Sequence, residues 1–210
     1  MNEARSFNTV TNCAKYLHYL KGLQAGNVAE VSAEAIAKET QILLQTVSED
    51  LQKITGTKSE TYQVPVLMTA LDHYLGYDDV CSAVLVGIGN MGSAILSYRG
   101  FSDYGINIAA AFDRDSAVIG TEVGGKKILD IAKLKEICAQ GNIMVGIIAV
   151  PAYEAQSVCD QLIDCGIQAI WNFAPTELKV PENVLVQNEN IADSLLVLSG
   201  RIEQQLRKKA

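Results

Sequence analysis

The chain has 210 residues, 49% of them hydrophobic and 20% charged, with a formal net charge of −7. That balance excludes a mainly disordered chain, and no apolar run nears the ~20 residues that a membrane span requires. The excess of acid argues against a broad basic surface of the kind that grips nucleic acid through its phosphates. The opening MNEARSFNTV carries no apolar signal core, and the cysteines (Cys13, Cys81, Cys138, Cys159 and Cys165) contain no C-x-x-C pair. Both features predict a cytoplasmic protein with reduced thiols and no cysteine-held metal.

The chain changes character near residue 80. From Ser6 to Tyr77 its pattern is helical. Cys13, Leu17, Leu20 and Leu23 recur at helical spacing, and the stretch Gly22 to Gly26 ends that helix. Ser32 is placed to cap a short helix, Ala33 to Thr40. A further helix puts Leu44, Val47, Leu51 and Ile54 on one apolar face and Gln45, Ser48, Glu49 and Gln52 on the outer one. Residues 55–64, TGTKSETYQV, read as a turn or small β-ribbon. Helix resumes over Pro65 to Leu75, and Tyr77, Asp78 and Asp79 close the segment. Helix, short helix, helix, ribbon is the order of a winged helix-turn-helix. It predicts Gln45, Ser48, Glu49, Gln52 and Lys53, with Lys58 on the wing, as the DNA-facing residues.

From Cys81 strands and helices alternate. Ser82 to Val86, Asn107 to Phe112, Ile143 to Val150 and Gln168 to Trp171 are short apolar runs of the kind that buried parallel strands need. Met91 to Tyr104, Ile131 to Ala139 and Tyr153 to Cys165 read as helices between and after them. The alternation predicts an α/β fold with a doubly wound parallel sheet, the Rossmann arrangement. The expected organisation is a winged-helix domain over 1–79, a Rossmann domain over 80–189 and a C-terminal helix over 190–210.

The first strand–helix turn carries the strongest motif. VLVGIGNMG supplies Gly87, Gly89 and Gly92 as G-x-G-x-x-G, with Asn90 and Met91 opening the helix, and Asp113 ends the next strand. Gly87 allows the tight turn, Gly89 lets backbone approach a pyrophosphate, and Gly92 lets the helix pack against the strand. Asp113 suits free ribose hydroxyls and repels a 2′-phosphate, which favours NAD and NADH. Arg114 is of a type that can hold such a phosphate, and Asp115 leans back toward NAD. Val150, Pro151 and Ala152 at one strand end, and Asn172 and Phe173 at the next, are the candidates for the nicotinamide half of the pocket.

Nothing marks a catalytic centre. The two histidines, His18 and His73, both precede the nucleotide-binding region, and no segment remains for a substrate domain. Tyr98 and Lys133 are not in a Tyr-x-x-x-Lys arrangement. The expectation is a binding protein, not an enzyme. Near the C-terminus, Ile191, Leu195, Leu198, Ile202 and Leu206 form one helical stripe that Leu196 and Val197 widen. So broad an apolar face predicts burial against a second copy in an isologous homodimer.

Taken in order, GIGNMG, SYRGF (Ser97 to Phe101), AAFDRD (Ala110 to Asp115), AVPA (Ala149 to Ala152), NFAP (Asn172 to Pro175), LKVPENV (Leu178 to Val184) and the final helix resemble the Rex family of redox-sensing transcriptional repressors. The resemblance implies a homodimer with the C-terminal helix exchanged between subunits, and Tyr98 near the nicotinamide. It implies operator DNA bound with NAD and released as NADH accumulates. The departures fall outside the nucleotide motif. Where the family's recognition helix reads Val or Ile, Arg, Lys, Asp, Leu, this chain reads Val47-Ser48-Glu49-Asp50-Leu51. The family's wing, Gly-Lys-Arg-Gly, is here Thr57-Lys58-Ser59-Glu60. Residues 41–62 hold two lysines against three acids, which weakens the phosphate attraction that dominates DNA affinity. The arginine of the family's first helix falls at Asn12, the aspartate opening its last helix at Asn190, and the aromatic after it at Ile191. Two readings follow. One is a Rex-type regulator responding to the NADH/NAD ratio. The other is a Rex-like NAD(H)-binding dimer that has lost specific DNA binding and acts as a nucleotide sensor or partner protein.

Overall fold

The helical spacing of Cys13, Leu17 and Leu20 becomes the fully buried stripe of α1 (Asn2–Ala25) in the computed structural model, which describes residues 2–76 and 81–207. Two units separate, Met1–Asp79 and Val80–Ala210. In the first, α1 is followed by β1 (Glu30–Ser32), α2 (Ala33–Thr40), α3 (Leu44–Thr55), β2 (Thr61–Gln63) and α4 (Val64–Leu75). Ser32 caps α2 as its position predicts, its Oγ accepting the Ala35 N–H at 3.1 Å. Gln41 ends α2 in the left-handed region, φ 57°, and the chain turns into α3. Pro65 sits in the first turn of α4, where its missing N–H costs no helical hydrogen bond.

Two sequence expectations need correction here. The ribbon is not contained in residues 55–64. Thr61–Gln63 pairs antiparallel with Glu30–Ser32, with Val31 opposite Tyr62, and the three-residue partner strand before α2 is too short to show a period. The apolar stripe of α3 is also narrower than its sequence suggests. Val47 and Leu51 are fully buried, while Leu44 in the first turn is 43% exposed. Tyr77, Asp78 and Asp79 lie outside the described residues.

The second unit is a seven-stranded sheet. Its elements are β3 (Cys81–Val86), α5 (Asn90–Ser97), β4 (Ile106–Asp113), β5 (Glu122–Val123), β6 (Lys126–Asp130), α6 (Leu134–Gln140), β7 (Ile143–Ile148), α7 (Ala152–Asp164), β8 (Ala169–Asn172), β9 (Leu185–Asn188) and α8 (Ile191–Arg207). The strand order is β5-β6-β4-β3-β7-β8-β9, and only β5 runs antiparallel to its neighbour. Alternate residues of β3 feed two cores. Val84 and Val86 join Phe112, Ile148, Cys159 and Leu162, while Ala83 and Leu85 join Ile95, Leu96, Ile128 and Ile147. A sheet buried on both faces explains why its strands read as continuous apolar runs.

The predicted helix Met91 to Tyr104 is broken. Tyr98 is extended, ψ 113°, and a separate 3-10 turn, Arg99–Tyr104, follows. The predicted helix from Ile131 likewise opens as a 3-10 turn, Ile131–Lys133, whose cap is the Asp130 carboxylate. β5, β6 and β9 were not foreseen. Gly124 and Gly125, with φ of 59° and 79°, make the hairpin turn between β5 and β6. No helix among the described residues is long and apolar enough to cross a membrane.

Candidate nucleotide site and recognition face

β4 and β7 flank β3 on opposite sides, so the C-terminal end of β3 lies at the reversal of strand order where open α/β sheets bind ligands. The chain leaves β3 through Gly87 at φ +95°, where a Cβ would stand 2.6 Å from Val150 Cγ1 and 2.7 Å from the Ala149 carbonyl oxygen. At Gly92 a Cβ would lie 1.8 Å from the Gly87 carbonyl oxygen. Packing alone therefore demands both glycines. Gly89 differs. Its φ is an ordinary −73°, and no heavy atom lies within 4 Å of where its Cβ would be. Nothing in the protein requires a glycine there, and the space it leaves open belongs to a cavity of about 550 Å³.

Asp113 ends β4 and ties the two loops together. Its Oδ2 accepts the Ile88 N–H at 2.7 Å, and its Oδ1 accepts the N–H groups of Arg114 and Asp115 at 2.7 and 2.9 Å. Three of roughly four acceptor positions on the carboxylate are thus filled by backbone. That leaves room for one further donor rather than for two ribose hydroxyls.

Of the residues predicted for this site, Gly87, Gly89, Asp113, Arg114, Val150 and Pro151 line the one cavity. Asn90, Met91 and Gly92 form the first turn of α5, and Ala152 opens α7, beside the lining. Sequence reading missed Ile131, Tyr153, Glu154, Ser157 and Gln161, which also line the cavity. All but Ile131 lie on α7, and their signal was the position of that helix immediately after the strand end at Val150-Pro151.

Tyr98, Asn172 and Phe173 do not line the glycine-turn cavity. Tyr98 is 60% exposed. A ladder of rings connects it to Phe173: Tyr98 to Phe101 at 5.0 Å, Phe101 to Trp171 at 5.9 Å, Trp171 to Phe173 at 4.6 Å. Asn172 is fully buried and braces the end of β8. Its Nδ2 donates to the carbonyls of Ala174 and Thr176 and to Asn188 Oδ1, while its Oδ1 accepts the Ala174 N–H. Those bonds occupy its amide N–H groups and one acceptor position, and they hold the strand end.

On the first unit, Gln45, Glu49, Gln52, Lys53 and Lys58 are exposed and Ser48 is half-buried. Gln45 Nε2 donates to Glu49 Oε1 at 2.9 Å. Ser48 and Lys58 share a hollow of about 560 Å³ with Ser32, Glu34 and Glu60. Behind this face, buried Asp50 of α3 accepts hydrogen bonds from Thr9, Asn12 and Tyr16 of α1 at 2.9–3.0 Å. Burial and the Asp50 carboxylate push the Tyr16 phenol upward. Asn12 is therefore engaged within its own unit. Asn190 caps α8 instead, its Oδ1 accepting the Ala192 N–H at 3.1 Å.

All five cysteines are free thiols. Burial raises Cys13 to about 12 and Cys138 to about 11, so neither is a ready nucleophile near neutral pH. His18 and His73 are exposed on α1 and α4. No cluster of three or more potential metal ligands occurs among the described residues.

Comparison with known proteins agrees with this geometry. A family model described as a CoA binding domain matches residues 79–176. The redox-sensing transcriptional repressor Rex of Carboxydothermus hydrogenoformans is 36% identical over 198 residues, covering 93% of this chain and 95% of that protein. The solved structure of RSP in complex with β-NADH superposes with a TM-score of 0.87 at 30% identity, covering 97% of each chain. RSP in complex with β-NAD+ and operator DNA gives 0.86 at 30% identity, covering 97% of this chain and 95% of that one. A winged-helix unit, a Rossmann unit with an open glycine turn, and this similarity along nearly the whole length together place the chain in the Rex family of redox-sensing transcriptional repressors.

Proposed function

We propose that the chain binds NAD and NADH at the β3–α5 turn and uses that occupancy to control DNA binding by its winged helix, as a cytoplasmic redox-responsive regulator and not as an enzyme. The observation that carries this reading is Gly89. It is the one glycine of the motif that packing does not require, and its open side faces the cavity. A pyrophosphate there would meet the free N–H groups and positive dipole end of α5. Asp113 would receive a ribose hydroxyl, Asn90, Met91 and Gly92 would form the phosphate-facing turn, and Val150, Pro151 and Ala152 would line the continuation of the site. Tyr98 and Phe173 would stand toward the nicotinamide, with Asn172 holding the β8 end beneath them. The nucleotide supplies a ring that is cationic when oxidised and neutral when reduced. The protein's part is to bind the two forms differently.

Assembly follows from α8. Leu195, Leu196, Val197, Leu198, Ile202 and Leu206 are 52–69% exposed on the single chain. Each is worth roughly 1.5–3 kcal/mol when fully buried, and a second copy offers the same face in return. The acidic recognition face favours a second reading, that of a nucleotide-sensing dimer or partner protein without a specific operator. The operator-bound state of RSP, matched along the winged-helix unit as well, favours the first.

Titration with NADH, followed by coenzyme fluorescence and competed with NAD, tests the site. Saturable binding that Gly89→Val abolishes supports it. Binding that survives the substitution overturns it.

A further inference from the structure

The rim of the nucleotide cavity holds an ion pair to which the reading above gives no role. Arg114 Nη2 stands 2.6 Å from Glu154 Oε1. Glu154 is the fixed member. Its side chain is 14% exposed against 64% for Arg114, and it sits in the first turn of α7, where the helix dipole favours a carboxylate. Asp113 and Asp115 flank Arg114 in the chain, and all four residues line the same cavity. The rim thus carries three carboxylates and one guanidinium.

An arginine beside the ribose-binding acid is the residue type that accepts a phosphate on that ribose. Here Glu154 already holds it. Resting on the nucleotide reading above, we propose that Glu154 is a specificity-determining residue. By holding Arg114 and adding a third carboxylate to the rim, it keeps the guanidinium from a ribose phosphate, and so rejects adenine nucleotides whose ribose carries a phosphate while admitting those with free hydroxyls. A ribose phosphate monoester adds close to two negative charges at neutral pH. The carboxylates of Asp113 and Asp115, which accept backbone N–H groups, repel it, and the rim's guanidinium is engaged. The same rule excludes NADP(H), phosphorylated at the 2′ position, and coenzyme A, phosphorylated at the 3′ position of the same ribose.

The test compares the native chain, Glu154→Gln, and Glu154→Gln combined with Arg114→Ala. NADH and NADPH are titrated by coenzyme fluorescence and coenzyme A by calorimetry. Releasing Arg114 should raise the ratio of NADPH to NADH affinity about tenfold, the scale of one charge-assisted bond to phosphate. Coenzyme A should shift in the same sense, and the gain should vanish in the double variant. An unchanged ratio in Glu154→Gln, or a gain that survives without Arg114, overturns the inference. So does a native chain that binds NADPH as tightly as NADH. Failure of the native chain to bind NADH overturns the nucleotide reading itself, and the inference with it.

Discussion

Replacing Gly89 and Gly92 in turn should separate binding from folding. In Gly89→Val the new side chain enters open space from an allowed backbone conformation, with no protein atom within 4 Å of its Cβ. Gly89 is the N-cap of α5, and a β-branched residue there costs about 1 kcal/mol. That lowers the melting temperature by roughly 2–4 °C in a chain of this size. The methyl groups occupy the cavity where the proposed site would bring backbone and pyrophosphate together. Losing even one charge-assisted hydrogen bond there, at roughly 1.5–3 kcal/mol, weakens NADH about ten- to hundredfold, and losing two weakens it further. Gly92→Ala reverses the pattern. Its Cβ would fall 1.8 Å from the Gly87 carbonyl oxygen, which is backbone and cannot rotate away. α5 must move off the sheet, at a cost above about 3 kcal/mol and a melting point lower by roughly 10 °C. Calorimetric melting and NADH fluorescence titration on both variants decide the matter. Native affinity in Gly89→Val, or a native melting point in Gly92→Ala, would refute the reasoning.

Asn172→Ala should lower stability by about 2–4 kcal/mol in urea unfolding, because the Ala174 N–H and the carbonyls it serves lose their partner; an unchanged midpoint would contradict that. Truncation after Asn190 removes the exposed face of α8 and should convert a dimer into a monomer by light scattering. A full-length chain that is already monomeric at micromolar concentration would count against the dimer. Glu49→Lys should tighten DNA binding and steepen the salt dependence of log K by about 0.9 per phosphate gained; an identical slope would show that α3 does not face DNA. In alkaline solution the folded chain keeps the Cys13 and Cys138 protons that the unfolded chain sheds near pH 9. The part of the stability that these thiols set should therefore be constant below pH 9 and fall between there and about 12. Cys13→Ala should blunt the fall, which circular dichroism with denaturant would follow.

Much of this was legible from residue order because local rules and the fold agree. Ser32 caps where a serine before Ala33-Glu34 should, and the glycine turn stands between a strand and a helix as its spacing requires. What escaped was set by tertiary contact. β1, β5 and β9 are two to four residues long, too short to show a period, and exist because a neighbouring strand pairs with them. The break at Tyr98 has no proline or cap to announce it. The Tyr98 ring folds back over the following turn, against Gly100, where an added Cβ would stand 2.5 Å from it. The bracing role of Asn172 at the end of β8 was not legible either. Its hydrogen bonds to residues up to 16 positions away could not be seen from the chain alone. Glu154 was missed for a different reason. The start of α7 after Pro151 puts it near the opening, but its partner Arg114 is 40 positions away in the chain, and only the fold brings the two together.

The account rests on coupling between the nucleotide cavity and the winged helix. Fluorescence anisotropy of a labelled Rex operator at low salt, titrated with the full chain in saturating NAD and again in saturating NADH, measures that coupling directly. The account predicts binding with NAD that weakens at least tenfold with NADH, and loss of this difference in Gly89→Val. Equal affinity in the two nucleotides, or no binding in either, would contradict it.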